Sequence, residues 1–187
     1  MSVTTARALL MDELKNIYSA EKQAVRAYPR LTKAADSGEL REAMQEHLEQ
    51  TQAQVERLER VFERLDARAS GKTCEGMRGL LEEAATQAQQ IDGGPVRDAA
   101  LIGALQRIEH YEIAAYGTAA TMASLMGEPE IKDLLGQSLQ EEKDADEKLT
   151  QVAESVNRDA LAAGEGMEEE AEEEEQPASR SRRRKAA

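Results

Sequence analysis

The sequence predicts an all-α protein, and three observations carry that prediction. Ala, Glu, Leu, Lys, Arg and Gln dominate the chain, which is helix-former composition. Apolar residues recur at steps of three and four over four long segments, the spacing of one helix face. Stop and cap signals fall between those segments at Asp36-Ser37-Gly38, Gly93-Gly94-Pro95 and Gly127-Glu128-Pro129. Aromatics are 3% of the 187 residues, Trp is absent and Phe occurs once, so Leu, Ala, Ile, Val and Met must build the core. That length suits one domain with a sizeable core better than two.

The first long helix is expected over residues 5–35, its inner face formed by Leu10, Leu14, Ile17, Glu21, Val25, Tyr28 and Leu31. Pro29 lies inside it and should kink it or shift its last turn. After the break at Asp36-Ser37-Gly38 a second helix is expected over residues 39–68, striped by Met44, Leu48, Thr51, Val55, Leu58, Phe62 and Leu65. A long connection over residues 69–94 carries a short helix around residues 77–91. Pro95 suits the first turn of the next long helix, expected over residues 96–126. The last covers residues 130–162, with Ile131, Leu135, Ser138, Glu142, Leu149, Ala153 and Val156 on its stripe. Two antiparallel hairpins joined by one long crossover is the connectivity of a ferritin-like four-helix bundle, here with a short fifth helix in the crossover.

Past Gly164 the apolar period is lost. Residues 168–175 are nearly pure glutamate, and from Arg180 to Lys185 the chain reads RSRRRK. Runs of like charge bury too little surface to offset chain entropy, so residues 1–163 are expected to form the bundle and 164–187 a disordered, acidic-then-basic tail. The net charge of −13 argues against nucleic acid as the partner of the folded part. The run between Arg180 and Lys185 leaves at most a weak, salt-dependent tether to nucleic acid or another anionic surface. The N-terminus lacks a signal-peptide pattern, and no stretch approaches the ~20 apolar residues of a membrane span. The single Cys74 excludes an internal disulfide framework. A cytoplasmic protein without membrane partners is the expectation.

Three of the helices carry glutamate in the middle of the face that should be apolar. Glu142 lies within about 20° of Leu135, Ile131, Leu149 and Ala153, and Asp146 about 40° to one side. Glu109 and Glu112 straddle the stripe of Leu101, Leu105, Tyr116 and Ala119, and Glu21 is aligned with Leu14, Ile17 and Tyr28. Glu141 points about 100° away and is expected in solvent. On the second helix Leu48 and Thr51 hold the centre, with His47 about 60° off as the candidate nitrogen ligand; His110 points outward. Buried carboxylates that converge repel one another and are stable together only when protonated, paired with cations or wrapped around a metal. Oxygen-rich ligation with one imidazole suits iron or manganese, and zinc stays open.

The segments YSAEKQAVRAYPRLTKAA, EHLEQTQAQVERLERVFE, VRDAALIGALQRIEHYEIAAYGT and EEKDADEKLT resemble the YciE/YciF family of bacterial ferritin-like proteins over most of residues 11–156. The resemblance implies a stress-associated bundle, usually dimeric, with a dinuclear metal centre at Glu21, His47, Glu109, Glu112 and Glu142. Better-known di-iron bundles place Glu-x-x-His on each of two helices. Here Ala145 stands where the second histidine would fall, and Gln50 follows His47 where this family often has glutamate. Gln50, Asp146 and Tyr111 are further candidates for the metal or its surroundings, with Tyr116 and Tyr18 as second-rank groups. The favoured expectation is a di-iron centre that oxidises Fe(II) with O2 or peroxide. The alternative is a structural or interaction bundle whose site is vestigial or holds one stabilising ion.

Overall fold

The computed structural model describes residues 3–175, with side-chain detail to Gly164. Five helices follow in order: α1 (Ala6–Ala34), α2 (Gly38–Arg64), α3 (Glu75–Gln90), α4 (Pro95–Leu125) and α5 (Pro129–Glu175). α1 pairs with α2 and α4 with α5, while α2 lies beside α5 and α1 beside α4. α3 sits on the crossover and packs on α4 and α1. The protein is therefore an all-α, four-helix bundle with the ferritin-like connectivity expected from the spacing of its breaks.

Local chemistry fixes the ends of these helices. The hydroxyls of Thr5 and Ser37 accept hydrogen bonds from the backbone N–H of Ala8 and Leu40, capping α1 and α2. α4 closes with Gly127 at a φ of 74°, and the N–H groups of Gly127 and Glu128 return to the carbonyls of Ser124 and Ala123. α2 closes in the same way four residues earlier than its sequence suggests. Asp66 takes φ 52°, a left-handed turn that Asp tolerates, and Ala67 N–H bonds Phe62 O at 2.9 Å. Pro29 stands inside α1, which runs through it as one helix.

The C-terminal boundary also differs from expectation. No helix end occurs near Gly164, and α5 continues to Glu175. Ala, Met and Glu are good helix formers and no proline falls in residues 163–175, so the helix continues through Gly164 and Gly166 although no apolar stripe holds it. Residues 176–187, including the basic run from Arg180 to Lys185, lie outside the described residues.

The core comes in two clusters. One joins Ala24, Tyr28, Leu40, Met44, Met77, Leu101, Leu105, Leu149 and Val156; the other joins Leu10, Leu14, Ile17, Leu58, Phe62, Tyr116, Ile131 and Leu135. On each long helix the buried residues between the two clusters are polar: Glu21; His47, Thr51 and Gln54; Glu109 and Glu112; and Ser138 and Glu142. The helices thus carry a hydrophilic layer across the middle of the bundle.

Candidate metal centre

All five residues expected at the centre are buried. Glu21, Glu109 and Glu142 are 0% exposed, Glu112 is 1% and His47 is 6%. His47, Glu109, Glu112 and Glu142 each offer a ligand atom, and these atoms all lie within 4.8 Å of one another. They come from α2, α4 and α5. Glu21 on α1 stands beside this group, and its charge acts on both Glu112 and Glu142.

Two tyrosines hold the outer carboxylates. Tyr28 donates to Glu109 Oε1 at 2.8 Å, and Tyr116 donates to Glu21 Oε1 at 2.6 Å. Each phenol fixes one oxygen, while Glu109 Oε2 and Glu21 Oε2 have no hydrogen-bond partner. Glu112 Oε1 and both oxygens of Glu142 are likewise unpartnered. Buried carboxylate oxygens are rarely left so, and the carboxylates of Glu109, Glu112 and Glu142 converge with His47. His47 is oriented as well. Its Nδ1 lies 3.3 Å from Gln50 Oε1, which turns Nε2 to within 3.3 Å of Glu109 Oε2 and 3.6 Å of Glu142 Oε2. With Nδ1–H donating to Gln50, Nε2 is left facing the carboxylates, the orientation of a metal-ligating histidine held by an outer partner.

Burial dominates the titration of the group. It pushes Glu109 up to about 7 against an ordinary 4.5, opposed first by a hydrogen bond shared with Glu142 and then by that of Tyr28. Glu21, Glu112 and Glu142 are raised well above the carboxyl range, first by burial and then by their mutual repulsion; His47 opposes the rise at Glu142. Without a cation these side chains favour the protonated form, and a multivalent ion removes that preference. The one buried arginine or lysine among the described residues, Arg57, is spent elsewhere. It makes a bidentate pair with Glu141 at 2.8 and 2.9 Å and donates to Ser138 Oγ at 2.7 Å. The donor set, its open oxygens and the lack of a committed counter-charge fit a metal ion.

The remaining candidates fall elsewhere. Asp146 accepts from Gln106 and His110 on the outer side of α4, at 3.3 and 3.2 Å. Tyr111 turns to the crossover, where its hydroxyl meets Cys74 Sγ at 2.9 Å and accepts from Asn16 at 2.8 Å. Tyr18 donates to Glu59 at 2.8 Å. Gln50 is in place as the partner of His47. Glu141, expected in solvent, is drawn inward by Arg57 and by Gln54, which donates to it at 3.1 Å. Sequence reasoning missed Arg57 and Gln54, because an arginine and a glutamine count toward the polar face in any periodicity. It also treated Tyr28 as core alone.

The geometry agrees with the relationships of the chain. Residues 5–162 match the family described as a domain of unknown function, DUF892. The chain belongs to that family. It is 41% identical over 162 residues to protein YciF of Escherichia coli (strain K12), covering 86% of this chain and 98% of that one. The crystal structure of YciF, an E. coli stress protein, superposes with a TM-score of 0.80 at 40% identity, over 83% of this chain and 98% of that one. A Rhodopseudomonas palustris protein described as structural, YcfI, gives 0.78 at 40% identity, over 80% of this chain and 95% of that one. The resemblance to the YciE/YciF proteins read from the motif segments therefore holds. Among the described residues no helix is long and apolar enough to cross a membrane.

Proposed function

We propose that this DUF892 protein is a stress-associated metalloprotein whose mid-bundle layer holds a carboxylate-bridged pair of iron or manganese ions. The observation that carries this is the convergence of the buried carboxylates of Glu109, Glu112 and Glu142 with His47, with Glu21 beside them and unpartnered oxygens on all four glutamates. His47, Glu109, Glu112 and Glu142 would supply one ion, and Glu21 with its neighbours Glu112 and Glu142 a second. Bound as a pair, such ions supply the two electrons that reduction of O2 or a peroxide requires. The chain's own part is positional. Tyr28 and Tyr116 fix one oxygen of Glu109 and Glu21 and leave the other to a ligand, Gln50 orients His47, and the apolar clusters on either side keep bulk water out. A homodimer belongs to the same proposal.

The decisive experiment is elemental analysis of protein from iron-supplied cells, followed by rapid mixing of the Fe(II) form with O2 or peroxide. Close to two ions per chain and oxidation faster than that of free Fe(II) support the reading; substoichiometric metal that added Fe(II) cannot raise rejects it. One observation favours the second reading, a structural bundle with one stabilising ion: a single imidazole serves the group, since α5 has Ala145 three residues after Glu142. On that reading metal raises the melting temperature, and Glu142→Ala leaves any oxidation at the rate of free iron.

A further inference from the structure

Beside His47 a cavity of about 260 Å³ opens between α2, α4 and α5. Its floor is polar and belongs to the metal layer: His47, Glu109 and the ring of Tyr28. Its walls are apolar, with Met44, Leu105, Leu149 and Ala145 facing the space. Glu46, Asp144 and Lys148 stand at the exposed rim. The position that would carry a second histidine in a two-histidine di-iron bundle is Ala145, so the missing imidazole leaves room where a ligand would otherwise project.

Size and lining select among occupants. A water takes about 30 Å³, so O2 or hydrogen peroxide would leave most of the volume idle. An apolar cavity of roughly 150 Å³ already holds benzene, so this one accommodates an aromatic ring or branched chain with a short polar arm. Gln50, half-buried in the same lining, offers a side-chain amide that can hydrogen-bond an O–H group. Two carboxylates against one ammonium at the rim disfavour an anion.

We propose that this cavity binds a small neutral organic molecule with an apolar body and an O–H head, the shared chemistry of an alcohol and an organic hydroperoxide. The proposal deepens the metal-centre reading by giving that site a substrate class, and it rests on that reading for reactivity but not for binding. Cumyl alcohol is a suitable unreactive probe. Calorimetry or ligand-observed NMR on the metal-free full chain should show saturable binding at roughly millimolar Kd or tighter. Ala145→Phe, which fills the cavity from α5, should weaken it about tenfold or more. Ala43 lines the same space from α2, so Ala43→Met should act likewise and serves should Ala145→Phe lose its helical circular dichroism. Phenylacetate, of similar size but anionic, should bind more weakly than the alcohol. A wild-type protein that fails to bind cumyl alcohol, filling variants that bind it unchanged, or phenylacetate binding as tightly would each overturn the proposal. Cobalt(II) titration of the same proteins separates the two ideas. Failure of wild type to take up cobalt counts against the metal centre, whereas normal cobalt uptake without alcohol binding sinks only the cavity.

Discussion

Arg57 with Glu141 and the carboxylate layer are two buried charged groups at neighbouring levels of one bundle, and they are built on opposite principles. Arg57 is 7% exposed, but each of its contacts is answered: two carboxylate oxygens of Glu141 and the hydroxyl of Ser138. The layer holds four carboxylates and one imidazole, with five oxygens lacking any partner. The scaffold evidently supplies a guanidinium where a buried charge needs one. It supplies none to Glu21, Glu109, Glu112 and Glu142, although α2 carries Arg57 close enough for its charge to act on Glu21. That contrast supports the proposal that the layer holds a cation from outside the chain.

The most extensive test of that contrast is pH. The layer's carboxyls are raised in the folded state, so the stability they allow is complete below their unfolded value near 4.5 and is lost as pH rises through the folded values, about 7 for Glu109. Metal-free protein in chelator should therefore lose stability between about pH 5 and pH 8, by roughly 3 kcal/mol from Glu109 alone, as read by urea denaturation. Loading with Mn(II) or Zn(II) should flatten or reverse that slope; an unchanged slope breaks the comparison. Next in size is Arg57→Ala, expected to destabilise by about 3 kcal/mol, the low end for a broken buried pair because Glu141 keeps some contact with solvent. A double-mutant cycle with Glu141→Gln checks that the loss belongs to the pair. The same kind of deletion in the layer should act with opposite sign. Glu142→Gln removes a carboxyl whose charged form burial disfavours first and Glu109 further, and should stabilise metal-free protein near neutral pH by about 1–2 kcal/mol while abolishing the metal-induced rise in melting temperature. The smallest effect is Gln50→Ala, which frees the His47 ring and should weaken metal binding about tenfold with little change in metal-free stability.

Much of this arrangement was legible from the chain because helical period reports on apolar faces. Glu21, Glu109, Glu112 and Glu142 were found by standing on stripes of Leu and Ile, and all four are buried there. α2 was read less well. Its apolar stripe centres on Leu48 and Thr51, yet Leu48 is only partly buried, and the inward line runs through Met44, His47, Thr51, Gln54 and Leu58. Three of those five are polar, so a hydrophobicity pattern rotates the face away from them. Arg57 and Glu141 escaped for the same reason: a buried ion pair looks from either helix like two surface residues. The end of α2 at Asp66 was hidden because a left-handed turn at a non-glycine residue has no strong sequence mark, whereas Gly127 announced the matching end of α4. The Tyr28 and Tyr116 hydrogen bonds depend on which carboxylate sits opposite, and that is a property of helix packing rather than of period.

The hydrophilic layer also divides the interior into an upper and a lower apolar block that share helices but little direct side-chain packing. Cooperativity between the blocks must then pass through backbone and through whatever bridges the glutamates. Hydrogen exchange should find the amides of residues 105–112 and 138–145 opening more readily in chelator than those nearer the helix ends on the apolar blocks, with protection restored once an ion ties the three helices together. In such a molecule the ligand at mid-height works as a keystone, turning two half-cores into a single unfolding unit.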